Sequence, residues 1–299
     1  MPDIQNLNRH HFKDTKTHEV AEKIENPVAT VKHDGAAYFL HITRKNTPEY
    51  ISRRLSVKGH HLDRTSKLPH LADFETPEFR GSTFHVELIH TGKSKSGKDN
   101  HPAVSGILNS LAPKAIQTQK QTGPVRAVLL DVTNPKFKTF QEKRDYMKRF
   151  AEAVNKPDLL YLPETKIGTE GAKELAEKTR KRGDEGIIIT SLTKPEPENP
   201  RYKLKHYNTY NLKVTGIQQE IDKHGNPKES AGAIHVSDAT DKEVATVGTG
   251  FSRELRKEIY RNPHKWINRE INVKALPPTA RRLRAPVFNG DSDGRLDTI

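Results

Sequence analysis

The apolar residues of this chain fall in short blocks that have the length of β-strands. Residues 125–132 read VRAVLLDV and residues 185–190 read EGIIIT, with polar sequence on either side of both blocks. Only 32% of the 299 residues are hydrophobic and 30% are charged, so such blocks have to supply most of the core. The pattern predicts a folded, sheet-rich protein with a strongly solvated surface.

Strands alternate with helices in the first two thirds of the chain. Two strands are predicted within residues 26–43, joined by a turn at Asp34-Gly35. A helix is predicted at residues 139–154, where apolar side chains recur at helical spacing. Its buried face consists of Lys143, Met147, Phe150 and Val154. Further strands are predicted at residues 84–90 and 158–162.

A second helix is predicted at residues 170–182, after an N-cap at Thr169 and before a stop at Gly183. Its buried face consists of Ala172, Leu175, Ala176 and Thr179. Because helices interleave with short strands, residues 1–208 are predicted to form a mixed α+β domain with mostly antiparallel sheets.

The pattern of apolar and turn-forming residues changes after residue 208. Residues 209–299 hold short alternating strands separated by turns rich in Gly, Asn and Asp, and one helix is predicted at residues 253–260 after an N-cap at Ser252. Five short strands with one helix are typical of a small Greek-key β-barrel of the OB type, a fold often used to bind nucleic acid. The sequence therefore predicts two domains, 1–208 and 209–299.

Composition and charge restrict the class of protein. The chain carries 51 Lys and Arg against 38 Asp and Glu, a formal net charge of +13 that suits a polyanionic partner. It has no cysteine, which excludes disulfides, thiol catalysis and cysteine-ligated metal sites. No apolar run is long enough to cross a membrane, and the first residues, MPDIQNLNRHHF, lack the apolar segment of a secretion signal. These features predict a soluble, cytoplasmic protein without a membrane partner.

The tetrapeptide Lys32-His33-Asp34-Gly35 is the strongest candidate for a reactive site. A lysine that ends a strand just before a tight Asp-Gly turn is held rigidly while its amine projects from the sheet. In a desolvated cleft with other cations nearby, such an amine is neutral and can act as a nucleophile. The alternative is a surface lysine that merely precedes a hairpin turn.

Five further charged residues could assist such a nucleophile: Arg53, Glu87, Glu185, Lys203 and Lys205. The two carboxylates could hold a ribose and a metal ion, and the cations could bind phosphates. Taken singly, each is better explained as a solvated or ion-paired side chain. Taken together with a lysine nucleophile, they are the set needed for attack on the α-phosphate of a nucleoside triphosphate.

The order of these motifs resembles that of the ATP-dependent DNA ligases, in the covalent nucleotidyltransferase superfamily. KHDG is similar to motif I, YISRR to motif Ia, FHVELI to motif III, VRAVLLDV to motif IIIa, DEGIIIT to motif IV and YKLKHYNTYNLKVTGI to motif V. The tail LRAPVFNGDSDGRLD resembles the element that ends DNA ligases, and the resemblance spans residues 27–297. It implies a nucleotidyltransferase (adenylation) domain of antiparallel sheets with flanking helices, followed by a small OB-fold domain.

The resemblance implies a role for each residue of the first motifs. Lys32 would form the phosphoramidate with AMP, and Asp34 would act near the 3′-hydroxyl of the nick or its metal. Arg53 would contact phosphates, including the 5′-phosphate of the nick. Glu87 would hold the ribose, and Glu185, with Glu87, would bind a divalent metal.

Three more cations follow from the later motifs. Lys203 and Lys205 would hold the α-phosphate, and their charge would help to keep Lys32 neutral. Arg284 would lie on the OB domain, which closes over ATP for the first step.

Three positions depart from the family pattern. Ala37 stands where most ATP-dependent ligases have an arginine, and His85-Val86 stands where motif III has Asp-Gly. Leu130 stands where an aromatic ring stacks on adenine, so Leu130 is the candidate for the adenine platform.

The resemblance further implies ATP, with Mg²⁺ or Mn²⁺, and nicked duplex DNA as the partner of a monomeric enzyme of DNA replication, repair or recombination. The lack of cysteine and the short sequence before Lys32 argue against the NAD-dependent ligases. Two basic stretches are candidates for contacts with the DNA backbone: Lys93, Lys95 and Lys98, and Lys178, Arg180, Lys181 and Arg182.

Two other functions remain open at this point. An RNA ligase or a capping-type nucleotidyltransferase shares motifs I to V. A catalytically inactive, basic nucleic-acid-binding protein could carry the same two domains.

Overall fold

The computed structural model describes residues 12–91, 99–133, 136–196, 198–279, 281–292 and 295–299. The chain divides into two compact units, Met1–Lys205 and His206–Ile299. The division lies close to residue 208, after which the sequence indicates a domain boundary. Among the described residues, no helix combines the length and the apolar composition that crossing a lipid bilayer requires.

The secondary structure of the first unit consists of strands β1–β10 and helices α1–α5. The strands are β1 (Phe12–Thr15), β2 (Pro27–Lys32), β3 (Ala36–Ile42), β4 (Pro48–Ser52), β5 (Thr83–Ile89), β6 (Arg126–Thr133), β7 (Leu160–Tyr161), β8 (Thr165–Ile167), β9 (Gly186–Ser191) and β10 (Arg201–Lys205). The helices are α1 (Pro69–Ala72), α2 (His101–Asn109), α3 (Ala112–Thr122), α4 (Phe140–Val154) and α5 (Gly168–Arg182). Short 3₁₀ helices occur at His18–Lys23, Thr65–Lys67 and Pro77–Phe79.

Two five-stranded sheets organise this unit. The strand order is β1-β10-β9-β2-β8 in the first sheet and β4-β3-β5-β6-β7 in the second. Neighbouring strands are antiparallel except for the pairs β1–β10 and β6–β7. The predicted α+β class with mostly antiparallel sheets is confirmed.

The strands before and after the KHDG tetrapeptide belong to different sheets. β2 pairs with β8 and β9, whereas β3 pairs with β4 and β5. The sequence correctly predicts two strands here, but the predicted hairpin with its turn at Asp34-Gly35 is wrong, because the strands do not pair with each other. Residues 33–35 instead carry the chain from the first sheet to the second.

Helix α5 packs against β2 and β9 of the first sheet. Its predicted buried residues are confirmed: Ala172, Leu175, Ala176 and Thr179. The helix ends at Gly183, which adopts the left-handed conformation with φ of 72°, also as predicted. The predicted N-cap is wrong, because Thr169 lies inside the helix and Ile167 precedes it without a side-chain hydrogen bond.

Helix α4 packs against the second sheet. Its predicted buried face is confirmed: Lys143, Met147, Phe150 and Val154. Thr139 caps the helix by accepting a hydrogen bond from the backbone N–H of Glu142. The ring of Phe150 stacks on Phe84 of β5, with ring centroids 4.1 Å apart, so the helix is anchored to the middle of the sheet.

Four buried charges connect the two sheets, and we call them the four-charge cluster. Lys143 of α4 lies 3.3 Å from Asp131 of β6 and 3.6 Å from Glu196. Arg201 of β10 lies 3.1 Å from Asp131 and 2.6 Å from Glu196. None of the four side chains is more than 15% exposed. Since two cations face two carboxylates, the charges balance, and the cluster ties β10 of the first sheet to β6 of the second.

The second unit is a closed five-stranded barrel. Its strands are β11 (Asn208–Ile221), β12 (Pro227–Ser237), β13 (Glu243–Val247), β14 (Glu270–Thr279) and β15 (Arg282–Asp291). They follow the order β13-β12-β11-β14-β15, and the backbone N–H of Phe288 on β15 donates to the carbonyl of Thr249, just beyond β13, which closes the barrel.

Two helices connect β13 to β14 in this barrel, α6 (Arg253–Arg261) and α7 (Pro263–Trp266). The predicted N-cap of the first is confirmed, because the Ser252 hydroxyl accepts a hydrogen bond from the N–H of Leu255. Five strands closed into a barrel, with the helices inserted before the fourth strand, form the predicted Greek-key barrel of the OB type.

Candidate active site

Lys32 ends β2 beside Gly186, the first residue of β9. Lys205, the last residue of β10, pairs with Gly186 from the other side, so Lys205, Gly186 and Lys32 form one row across three strands. Residues directly opposite each other in a sheet project to the same face. The alternate residues Val31 and Leu204 belong to the core under α5. Both lysine amines therefore stand on the face of the first sheet that is turned away from α5.

Gly186 is the residue that allows this row to form. Its φ is +152°, and a Cβ at this position would lie 1.9 Å from the carbonyl oxygen of Leu204 on β10. Only a residue without a side chain lets the two strands approach this closely. Because Gly186 has no side chain, the side chain of the preceding residue, Glu185, can occupy the space between the two lysines.

Glu185 lies between the two lysine amines. Its Oε2 is 2.5 Å from Nζ of Lys32 and its Oε1 is 3.2 Å from Nζ of Lys205. The Glu185 side chain is only 8% exposed. Burial opposes its ionisation, but the charges and hydrogen bonds of Lys32 and Lys205 outweigh burial and hold the pKa of Glu185 below its ordinary value. The site therefore contains a carboxylate that is ionised at neutral pH and bound directly to the candidate nucleophile.

The segment after Lys32 brings Glu87 of β5 to the same place. A Cβ at Gly35 would lie 2.3 Å from the carbonyl oxygen of Leu88 and 2.9 Å from Cγ of Glu87, and Gly35 does not adopt a positive φ. The close approach of β5, rather than a turn as the sequence predicts, is what requires a glycine here. The Gly35 backbone N–H donates a hydrogen bond to the Glu87 carboxyl group.

Glu87 differs from Glu185 in its electrostatics. Burial raises the pKa of Glu87 to about 7 despite the opposing charge of Lys32, and the negative charge of Glu185 contributes to the rise. Near neutral pH Glu87 is thus divided between its protonated and ionised forms, whereas Glu185 is ionised. The positive charge of Arg53 also stabilises the ionised form of Glu87, which places Arg53 in the same cluster.

The other predicted site residues of the first unit lie close by in the fold. Asp34 is half-buried between the two sheets, and Arg53 is exposed directly after β4. Lys203 lies on β10, two residues before Lys205, and its amine is 3.4 Å from Asp14 of β1. β10 is flanked by β1 and β9, so the alternating lysines do not belong to an edge strand.

Two departures from the ligase pattern lie next to Glu87. Leu130 is half-buried in the β-bulge of β6, two residues beyond Val128, which is the cross-strand partner of Glu87. Ala37 is the partner of Glu87 on the other side, on β3. The short side chain at Ala37 thus stands where the family pattern would place a cation beside this carboxyl group.

Arg284 belongs to the second unit, where it lies on β15 opposite Leu276 of β14 and is half-buried. Of the basic stretches proposed for DNA, Lys178 and Arg182 each form an ion pair with Glu164, with N–O distances of 2.6 and 2.8 Å. The other stretch, Lys93, Lys95 and Lys98, lies outside the described residues.

No sequence pattern points to the side chain that contacts His33, the second residue of the KHDG tetrapeptide. Nδ1 of His33 lies 2.7 Å from Oδ2 of Asp99, and both side chains are largely buried. Burial raises the pKa of Tyr161 on β7, and the negative charge of Asp99 adds to the rise, so this tyrosine lies near the same pair. His33 and Asp99 are 66 residues apart, and no spacing in the sequence signals their contact.

The carboxylates of the site fit a divalent cation that binds together with a phosphate ligand. Within the described ranges, no three His, Asp or Glu side chains are placed to hold a metal ion on their own. Mg²⁺ is usually bound by one or two carboxylates and completed by water and substrate phosphates. Glu185 and Glu87 supply ligands of that number and kind.

The candidate site contains the amine of Lys32, two carboxyl groups and several cations, at the place where the chain passes from the first sheet to the second. Lys203, Lys205 and Arg53 can neutralise phosphate charge around the amine of Lys32. Such an arrangement can bind a polyphosphate and transfer a nucleotidyl group to the amine.

Solved structures of DNA ligases share the fold of this chain. A structure from a study of Lig E DNA ligases and DNA binding with a minimal scaffold has a TM-score of 0.67 and 15% sequence identity, and the match covers 96% of this chain and 100% of that chain. The ligase domain of LigD from M. tuberculosis has a TM-score of 0.51 and 16% identity, covering 97% of this chain and 96% of that chain. The ATP-dependent DNA ligase of bacteriophage T7 in complex with ATP has a TM-score of 0.50 and 14% identity, covering 96% of this chain and 100% of that chain.

Other similar structures are longer than this chain. It spans about two thirds of the structures named Pmar-Lig_Pre and Pmar-Lig_PreS3, 67% and 65% of their length, with 16% identity to each. The sequence matches no protein-family model and no curated protein sequence. The similarity therefore rests on structure, and at these identities it is a similarity of fold. The chain has the fold of the ATP-dependent DNA ligases, as the order of its sequence motifs predicts.

Proposed function

We propose that this protein is an ATP-dependent DNA ligase that seals nicks with a 5′-phosphate and a 3′-hydroxyl in duplex DNA, through a lysyl-AMP intermediate and a DNA-adenylate. The observation that carries the proposal is the row of Lys32, Gly186 and Lys205 with Glu185 between the amines, within a ligase fold. A surface lysine without this surrounding would not support nucleotidyl transfer.

In the first step, Nζ of Lys32 attacks the α-phosphorus of ATP. Lys32 reacts as its neutral amine: a P–N bond forms, the bond from the α-phosphorus to the bridging oxygen breaks, pyrophosphate leaves, and the nitrogen releases one of its two protons. Lys203 and Lys205 lie on the same strand face and neutralise the α-phosphate as the amine approaches. Glu185 holds the amine in position before the reaction and is the nearest acceptor for its proton.

In the next two steps the adenylate moves to DNA and is then displaced. The 5′-phosphate of the nick attacks the lysyl-AMP phosphorus, which releases Lys32 and forms the DNA-adenylate. The 3′-hydroxyl then attacks the 5′-phosphate, AMP leaves, and the strand is closed. Arg53, exposed at the edge of the site, is placed to bind the 5′-phosphate, and Asp34 lies between the sheets where it can orient the 3′-hydroxyl.

The remaining residues bind the nucleotide. Glu87 holds the ribose and Leu130 packs on the adenine, while Arg284 is supplied by the OB-fold unit for the first step. Glu185, with Glu87, would hold Mg²⁺ or Mn²⁺, which would supply positive charge to the phosphates of ATP.

The test is covalent labelling with AMP. The protein is incubated with ATP and Mg²⁺, and its mass is measured before and after nicked duplex DNA is added. We expect one AMP per chain, which disappears as the nick is sealed. Lys32→Ala should abolish the adduct, while Lys148→Ala, at an exposed lysine of α4, should leave it intact.

The same experiment separates the alternatives. Nicked RNA and GTP are offered in parallel with nicked DNA and ATP, and preferential sealing of RNA or labelling with GMP would favour an RNA ligase or a capping-type enzyme. DNA binding by the wild-type protein without any adduct would favour an inactive binding protein. Deletion of residues 209–299 should abolish most of the adduct if Arg284 acts in the first step.

A further inference from the structure

A basic hairpin next to the candidate active site displays apolar side chains to solvent. It comprises residues 52–62 and begins at the last residue of β4. Val57 at its tip is fully exposed, at 108% of the reference area, and Leu55 is 52% exposed. Among the described residues, Val57 is the most exposed of the large hydrophobic side chains. Val57 and Leu55 therefore leave apolar area in water that a partner could cover.

Backbone hydrogen bonds hold this hairpin in one shape. The N–H of Ser52 donates to the carbonyl of Leu62 at 2.9 Å, and the N–H of Ser56 donates to the carbonyl of His60 at 2.8 Å. The Ser52 hydroxyl adds a contact, because it accepts a hydrogen bond from the N–H of Leu62 at 2.8 Å. The tip is therefore presented by a formed structure, and binding through it does not require the loop to be ordered first.

The charge of the hairpin is entirely positive. It contains Arg53, Arg54 and Lys58, together with two histidines, and no acidic residue. Arg53 lies at its base and acts on the Glu87 carboxyl group, so the hairpin begins at the edge of the candidate active site. A polyanion held at this edge would lie against the hairpin.

We propose that the basic hairpin enters the minor groove of duplex DNA beside the nick, with Val57 and Leu55 against the sugars and a base step and with Arg54 and Lys58 on the flanking phosphates. Apolar side chains used in this way part the bases locally and bend the duplex, and basic residues beside them bind the backbone. The proposal rests on the proposed function for its site beside a nick, and it adds the element that holds the duplex there.

The combination of apolar tip and basic flanks is what favours duplex DNA over a simple phosphate contact. Phosphate binding needs the cations but leaves Val57 and Leu55 in water. The minor groove is only about 6 Å wide, so side chains at the tip that enter it can reach the sugars while the flanking cations reach the phosphates on its two sides. The sequence-independent nature of these contacts suits an enzyme that acts at nicks of any sequence.

The experiment compares a Leu55→Ser/Val57→Ser variant with the control variant Leu111→Ser. Leu111 is 81% exposed in the same unit, between α2 and α3, so the control removes a similar apolar surface elsewhere. Affinity for nicked duplex DNA is measured by fluorescence anisotropy at several salt concentrations. A 2-aminopurine next to the nick reports unstacking, and mass spectrometry reports AMP labelling of the chain.

We expect the double variant to bind nicked duplex about tenfold more weakly than wild type, with an unchanged salt slope, because no phosphate contact is lost. The 2-aminopurine signal that wild type produces should be absent. Arg54→Gln or Lys58→Gln should instead lower the salt slope by about one each. Leu111→Ser should match wild type in every readout.

Equal DNA affinity and equal 2-aminopurine signal in the double variant and wild type would overturn the proposal, as would binding of the hairpin to anionic lipid vesicles in preference to DNA. Labelling with AMP is a separate readout, in which DNA takes no part. If wild type forms no adduct, the proposed function fails, and the DNA measurements still decide the role of the hairpin. If the adduct forms and the double variant binds like wild type, the hairpin proposal alone fails.

Discussion

Gly186 sets the distance between the two lysines that flank Glu185. Its missing side chain lets β9 lie against the carbonyl of Leu204, and the row from Lys205 to Lys32 depends on that approach. This close approach also determines the charge contacts of the site, since Glu185 contacts both amines only while the strands stay in register.

A methyl group at this position has to displace a strand. We expect Gly186→Ala to lower the free energy of unfolding by about 3 kcal/mol and to reduce AMP labelling, because β10 must move away from β9. Urea unfolding followed by circular dichroism measures the first effect. Gly106→Ala is the matched control: apart from its chain neighbours and the backbone of α2 itself, no atom of the described residues lies within 4 Å of a Cβ there, and the change should raise stability by about 0.5–1 kcal/mol. A Gly186→Ala variant as stable as wild type would contradict the close approach.

The raised pKa of Glu87 makes stability depend on pH. Between its ordinary value of 4.5 and its folded value of about 7, the folded chain holds a proton that the unfolded chain has released. The free energy of unfolding therefore decreases as the pH rises through this range, by up to about 3 kcal/mol for this group. Glu87→Gln removes the group that titrates. We expect this variant to equal wild type in stability near pH 4 and to exceed it increasingly up to pH 8. A constant difference across that range would show that Glu87 does not titrate with a raised pKa.

Much of the candidate site was predictable because its residues lie in or directly beside short apolar strands. Lys32, Glu87, Glu185 and Lys205 stand at such places, and their order along the chain matches a known family pattern. The contact of His33 with Asp99 was not predictable, since it joins two parts of the chain that no local pattern relates. The need for a glycine at position 35 was likewise not predictable, because the atoms that leave no room for a side chain there belong to β5.

At the scale of elements, the four-charge cluster determines how the two sheets of the first unit are joined. β10 carries Lys203 and Lys205, and Arg201 at its start is bound to Asp131 of β6 and to Glu196. The cluster therefore anchors the strand that supplies the phosphate-binding lysines.

Removal of one member leaves a buried charge without its partner. We expect Lys143→Met to lower the free energy of unfolding by about 3–5 kcal/mol, because Asp131 and Glu196 then share the single cation Arg201. The control is Lys148→Met on the same helix, whose pair with Glu152 is exposed and spans 3.9 Å, and it should change stability by less than about 0.5 kcal/mol. Urea unfolding of the two variants gives the comparison. Equal effects would mean that the cluster does not hold the sheets together.

The elements with strong periodicity were predicted almost to the residue, and weak ones were missed. α4 and α5 have clear apolar faces, and β6 and β9 contain the uninterrupted apolar runs AVLL and III. In contrast, β1 reads FKDT and α3 reads APKAIQTQKQT, and neither contains the repetition from which strands or helices are inferred. The pairing of β2 and β3 with different sheets was also not predictable, since neighbouring strands more often form a hairpin.

At the scale of the whole molecule, each unit has its own hydrophobic core. The core of the second unit contains Trp266, which is 2% exposed and is the single tryptophan of the chain. Fluorescence of the intact protein therefore reports the barrel, whereas circular dichroism reports both units.

We expect the fragment His206–Ile299 to fold and to show the same blue-shifted tryptophan emission as the full chain. Its buried residues come from the barrel strands and from the helices α6 and α7, so the core does not depend on residues of the first unit. Emission spectra of fragment and full chain, with and without urea, provide the measurement. An emission maximum of the fragment at the wavelength of exposed tryptophan would contradict the independence of this core.

The balanced charges of the four-charge cluster also limit how such a protein can change over evolution. A chain that loses Lys143 alone keeps a surplus anion in its interior, and one that loses Asp131 alone keeps a surplus cation. Viable descendants must therefore exchange these side chains in concert, either keeping all four ions or replacing the group with apolar residues of similar volume. In an alignment of relatives, these four positions should covary as one unit.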